Sequence, residues 1–142
     1  MAYFDTLARD VVAWAEKQKT TPWIFLSGDL GAGKTTLTSE VLALLGFPLE
    51  EVQSPTFLKV VSYEHSGEIV LHMDAYRVEE PVEFLRMGLE DYDHLKMGIV
   101  EWPESFEAFL NLYPAFQESL DVKSVLRIEL NSDHSLKSLK GD

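Results

Sequence analysis

Apolar positions follow two rhythms along this chain. Leu7, Val11, Val12, Trp14 and Ala15 recur at near-helical spacing and predict a helix from about Thr6 to Lys17, with Asp5 as its cap. Lys19-Thr20-Thr21-Pro22 breaks that pattern. Trp23-Ile24-Phe25-Leu26 is apolar without alternation, which suits a strand buried on both faces. A glycine-rich turn from Gly28 to Gly33 follows, then a helix from Lys34 to about Leu45, with Gly46 as its stop. Pro48 to Phe57 reads as a loop. Leu58–Tyr63 and Glu68–Met73 read as strands, joined by Glu64-His65-Ser66-Gly67, short enough for a hairpin.

Pro81 opens a short helix to Met87, because proline is favoured in a first turn. Gly98 to Trp102 predicts another buried strand, ended by Pro103. Ser105–Leu112 reads as helix, and Val125–Leu130 alternates as a late strand. The tail from Ser132 is polar and is expected to fray. Strands interleaved with helices, without repeats or a long linker, predict one α/β domain over residues 1–142. Its expected architecture is a three-layer sandwich, with a central, mostly parallel sheet flanked by helices.

Charge changes the picture by what it excludes. Twelve basic and 24 acidic residues give a net −12. The segment from Glu64 to Glu107 holds twelve acids against Arg77, Arg86 and Lys96, and so carries −9 of that total. Such a surface repels a phosphodiester backbone, so unaided DNA or RNA binding is not expected. A solubilising surface and a docking face for a basic protein both remain open. The absence of cysteine rules out disulfides, thiolate metal sites and a cysteine nucleophile. No apolar run reaches the ~20 residues of a membrane span. Met1-Ala2-Tyr3-Phe4-Asp5 does not read as a secretory leader. The expectation is a soluble, cytoplasmic protein.

The chemistry concentrates in Gly28-Asp29-Leu30-Gly31-Ala32-Gly33-Lys34-Thr35, a glycine, four residues and Gly-Lys-Thr between strand and helix. Roughly 0.5% of chains this long match that pattern by average composition, before its context is required. Glycines let the backbone curl around phosphate so that successive amides of Asp29, Leu30, Gly31, Ala32 and Gly33 point inward. The new helix adds its N-terminal amides. Lys34 is placed to reach the β and γ phosphates, and the Thr35 hydroxyl to ligate Mg²⁺. Thr36 adds a phosphate contact or simply packs.

Asp74 ends the apolar run Ile69–Met73, where a carboxylate can hold Mg²⁺ directly or through water. Glu101 ends Gly98-Ile99-Val100 in the same way, to bind a metal-bound water, to orient the attacking water, or to form a structural salt bridge. For His72, packing and function stand as equal readings, as they do for Trp102 over a nucleotide or in a core. No Asn-Lys-x-Asp reads guanine, and no Asp-x-x-Gly follows the metal strand, which argues against a Ras-type GTPase. A nucleoside monophosphate kinase needs several cations around the transferred phosphate, and this chain offers mainly Arg77 and Arg86.

Four blocks then resemble the TsaE family of small bacterial P-loop ATPases of tRNA threonylcarbamoyladenosine (t6A) biosynthesis. They are Ser27 to Thr36, Gln53-Ser54-Pro55-Thr56-Phe57, His72-Met73-Asp74-Ala75-Tyr76-Arg77 and Glu101-Trp102-Pro103-Glu104. The resemblance runs from about Trp23 to Glu104 and implies a P-loop fold with magnesium-dependent ATP hydrolysis. By the family's pattern, Lys34 and Thr35 hold phosphate and Mg²⁺, with help from Thr36, and Asp74 is the magnesium carboxylate. Thr56 is the polar contact of a switch-like segment, and Glu101 and Trp102 match a pair important for binding and turnover. The implied partners are TsaD-like and TsaB-like proteins, which meet the tRNA while this chain does so only through them. The chain departs from the usual family length at both ends, with an early first helix and a brief tail after Leu130. A nucleotide-gated switch and, third, a small-molecule kinase are the alternatives.

Overall fold

The computed structural model describes residues 4–48, 60–133 and 135–141. Helix α1 (Asp5–Glu16) leads to strand β1 (Pro22–Ser27), and α2 (Lys34–Leu44) follows the glycine-rich turn. Strands β2 (Val60–His65) and β3 (Glu68–Asp74) form the expected hairpin. Two short 3₁₀ helices, Pro81–Arg86 and Leu89–Asp91, precede β4 (Met97–Glu101). Helices α3 (Glu104–Leu112) and α4 (Pro114–Ser119) and strands β5 (Ser124–Leu130) and β6 (Leu136–Gly141) complete the order.

The strands make one sheet in the order β2-β3-β4-β1-β5-β6. β3, β4, β1 and β5 run parallel, while β2 and β6 close the two edges antiparallel. Side chains alternate between the two faces of a strand, and both faces here are covered. Ile24, Leu26, Val70 and Ile99 pack beneath α1 and α2 with Val11, Leu37 and Val41. Trp23, Phe25, Leu71 and Val100 meet Phe84, Phe106 and Phe109 on the other face. Full burial of side chains this large contributes about 1.5–3 kcal/mol each. This is the expected α/β sandwich.

Gly98 lies directly across from Trp23 in the β1–β4 register. A Cβ at position 98 would fall 2.3 Å from the indole ring, so only glycine lets the ring lie against the backbone there. The ring then stacks on Phe106 at 5.7 Å, which anchors α3 over the sheet.

Two expectations change, and a third gains detail. Asp5 does not cap α1; Phe4 holds that position, and the Asp5 carboxylate accepts a hydrogen bond from Arg9 Nε at 3.1 Å. That acid still sits favourably at the positive end of the helix. The short helix expected at Pro81 is present and is 3₁₀, with Glu83 Oε2 accepting from the Glu79 and Glu80 amides at 2.8 Å each. The polar tail does not fray: Leu136–Gly141 pairs with β5 as β6 although all six residues are exposed. Pairing uses backbone groups, so it satisfies the open edge of β5 without an apolar pattern that a sequence reading could detect.

Candidate functional site

The parallel strands deliver their C-terminal ends to one edge of the sheet, where the loop between β1 and α2 curls. Gly28, Gly31 and Gly33 all take positive φ, at 148°, 84° and 103°. Gly28 lies tight against the end of β5, where an added Cβ would come 2.8 Å from the Leu130 carbonyl. Gly33 caps α2 in the left-handed conformation, which other residues adopt at a cost of about 1–2 kcal/mol. A turn from the Ala32 amide to the Asp29 carbonyl, at 3.0 Å, closes the loop.

Lys34 opens α2, and its side chain turns back into the loop. Its Nζ donates to the Gly28 carbonyl at 2.5 Å and to the Asp29 carbonyl at 3.1 Å. The ammonium also lies 4.6 Å from the centre of the Trp102 ring. Lys34 is only 5% exposed. Burial therefore lowers its pKa, while the negative charges of Glu101, Asp74 and Asp29 oppose that shift. Thr35 is half-buried in the first turn of α2, and Thr36 beside it is exposed.

Asp74 and Glu101 are register partners at the ends of β3 and β4, so their side chains leave the sheet on the same face. That face is the one covered by α2, since their strand neighbours Val70 and Ile99 pack with Leu37 and Val41. Asp74 is 8% exposed and Glu101 4%. Asp74 Oδ1 accepts from the Tyr76 amide at 2.9 Å. Glu101 Oε2 lies 2.7 Å from His72 Nε2, and His72 Nδ1 lies 3.3 Å from the Tyr63 hydroxyl.

Trp102 turns the chain out of β4 with a φ of 56°, while its amide donates to the Leu26 carbonyl at 3.0 Å. A bulky residue with positive φ is a strained one. Its ring lies over Lys34 and against Tyr76, whose ring centre is 4.8 Å away. Lys34, Asp74, Glu101 and Trp102 are thus brought together. Arg77 and Arg86 are exposed, and Leu30 projects from the loop at 68% exposure. Thr56, with the rest of Ser54–Phe57, lies outside the described residues. Tyr63 and Tyr76 carried no functional reading in the sequence. Tyr76 lies within one of the four motif blocks, whereas Tyr63 had no sequence signal beyond its place in a strand.

The donor set fits a hard divalent cation shared with a ligand. Asp74, Glu101 and Thr35 offer oxygen atoms, and among the described residues no cluster of three or more His, Asp or Glu forms a closed metal cage. Mg²⁺ takes few protein oxygens and fills its remaining positions with phosphate and water. A separate cavity of about 590 Å³ opens at the other end of the strands, between Thr21, Glu68 and Lys96. There Lys96 pairs with Glu68 at 3.2 Å, and Asp121 accepts from the Thr21 amide at 2.8 Å. The loop end, where Lys34, Asp74, Glu101 and Trp102 meet, is the candidate site.

A family model described as threonylcarbamoyl adenosine biosynthesis protein TsaE matches residues 2–136. The chain belongs to the TsaE family. A TsaE protein of Haemophilus influenzae is 40% identical over 88 residues, which are 61% of this chain and 55% of that protein. One from Rickettsia felis is 30% identical over 125 residues, covering 85% and 72%. The match with the Haemophilus TsaE thus spans about half of that relative. The crystal structure of Bacillus YdiB covers 87% of this chain and 71% of its own at 25% identity, with a TM-score of 0.47. The fold of this TsaE chain rests on its own strand order and register.

The two charges at the site carry a measurable cost. Burial, above all, and the nearby Glu101 charge raise the Asp74 pKa, against the Tyr76 amide, Lys34 and His72. In the window between the ordinary carboxylate value and the raised one, the folded state holds more protons than the unfolded state. Stability therefore falls as pH rises through that window. Asp74→Asn, which keeps the acceptor for Tyr76, is expected to be more stable than the parent at neutral pH. That advantage should vanish below the ordinary carboxylate range. Thermal unfolding of both nucleotide-free proteins across a pH series checks the sign.

Proposed function

We propose that this chain is a magnesium-dependent ATPase that supports a TsaD–TsaB complex in threonylcarbamoylation of tRNA adenosine 37. The observation that carries this reading is the buried Lys34 ammonium, set in a glycine loop against Trp102 and within the field of Asp74 and Glu101. A buried cation in a glycine-rich loop that leads into a helix N-terminus is suited to a polyphosphate. Lys34 would exchange its bonds to the Gly28 and Asp29 carbonyls for β and γ phosphate oxygens. The amides of Asp29 to Gly33, Ala32 giving up its turn to the Asp29 carbonyl, and the hydroxyls of Thr35 and Thr36 would line the same anion.

Thr35 and Asp74 would hold Mg²⁺, with Glu101 bonded directly or to its water. When bound, the ion would neutralise charge on the phosphate oxygens. Glu101 would orient the water that attacks the γ phosphorus, and Trp102 would cover the site. Thr56 is proposed as a contact to the γ phosphate on the strength of the family pattern alone.

The acidic surface supports a role beside a tRNA-binding partner rather than on the tRNA. No helix among the described residues is long and apolar enough to cross a membrane. We place the whole chain, residues 1–142, in one ATPase domain working in the cytoplasm.

Phosphate release from ATP and GTP, measured with Mg²⁺ alone and with the matching TsaD–TsaB pair, tests the reading. Slow ATP turnover that rises with the pair, with GTP a poor substrate, is the expected result. No rise despite confirmed complex formation would favour a nucleotide-gated switch, and label transfer from γ-labelled ATP to a metabolite would favour a kinase.

A further inference from the structure

We propose that His72 is a positioning residue for Glu101, held between the Tyr63 hydroxyl and the Glu101 carboxylate so that the carboxylate keeps one orientation toward the loop. The inference rests on the role proposed above for Glu101 and adds the groups that hold it.

The three residues come from three neighbouring strands, β2, β3 and β4. His72 is register partner of Ile99, two residues before Glu101, so its ring reaches along the strand direction to the carboxylate. Glu101 itself faces Asp74, a second acid that offers it no donor while ionised. The His72 side chain is fully buried, and that of Glu101 is 5% exposed. A buried carboxylate with such a neighbour needs a donor to hold it, and His72 Nε2 is 2.7 Å away.

The chemistry of the ring sets the direction of both bonds. A neutral imidazole donates from one nitrogen and accepts at the other. A carboxylate only accepts, so the proton sits on Nε2 and Nδ1 accepts from Tyr63. With both nitrogens engaged, neither the ring nor the carboxylate turns freely. The same logic, in which an outer partner fixes the geometry of a working group, is common around metal and nucleophile sites.

The test combines a measurement on the nucleotide-free protein with turnover. Long-range ¹H–¹⁵N correlation spectra are expected to show His72 as the Nε2–H tautomer, and an Nδ1–H tautomer would overturn the proposal. His72→Leu is expected to lower kcat about 10- to 100-fold, the usual range for such partners, with KM for ATP within about threefold. His72→Gln, which returns an N–H near the Nε2 position, should recover most of the lost kcat. In a Glu101→Gln background, His72→Leu should add less than about threefold, because both substitutions act through one group. Equal loss in the Leu and Gln variants, or full kcat in a folded His72→Leu protein, would sink the idea.

Should His72→Leu fail to fold, Tyr63→Phe decides. A fall in kcat of about threefold at unchanged KM supports the relay, and full kcat overturns it. Failure of the parent reading looks different. It would appear as a wild-type protein without turnover, or as a Glu101→Gln variant working at the wild-type rate.

Discussion

Glu101→Gln is expected to cut ATP turnover about 100- to 1,000-fold while triphosphate binding stays within a few-fold. The amide has nearly the volume of the acid, and its oxygen still accepts from His72, 2.7 Å away in the parent. The sheet end around it should therefore keep its shape. What disappears is the negative charge that would orient and activate the attacking water. Single-turnover phosphate release, beside nucleotide binding measured by calorimetry, separates the two effects. Turnover near the parent rate would leave Glu101 as a structural partner of His72 and nothing more.

Lys34 carries the second large effect. Lys34→Ala should weaken binding of Mg-ATP by at least about 100-fold, or roughly 2.7 kcal/mol, since charge-assisted hydrogen bonds to phosphate contribute about 1.5–3 kcal/mol each. The substitution also removes two bonds to loop carbonyls and the contact with Trp102. Lys34→Met, which fills the same space without charge, is the control for that loss. Both variants should lose binding alike if the charge is what matters. Trp102 emission gives a direct reading, because its ring lies 4.6 Å from the Lys34 ammonium, which ligand binding would move. ATP affinity unchanged in Lys34→Met would end the proposed role of the loop.

How much of this was legible beforehand differs from residue to residue. The loop and its helix were readable because their cause is local. Gly31 and Gly33 take backbone angles that favour glycine, and Lys34 follows as the first residue of α2. The carboxylates at the ends of β3 and β4 were readable as positions, since each closes a short apolar run. His72 was not resolved. A lone histidine in an apolar strand looks the same whether it packs or works, and its partner lies 29 residues away. Strand β6 was misread for a different reason, because its residues are all exposed and its pairing with β5 is made by the backbone.

The strand–loop–helix that suits a phosphate, the order of the elements apart from α4 and β6, and the family were all legible in the linear sequence. Local backbone preference and apolar periodicity act over a few residues, so a linear reading reaches them. Long-range packing sets Asp74 and Glu101 side by side, lays Trp102 over Lys34, and lines up Tyr63 and His72 behind Glu101. Those neighbours depend on the parallel register of β3, β4 and β1. Register is settled by how both faces of the sheet bury their side chains at once, which no short stretch of sequence encodes.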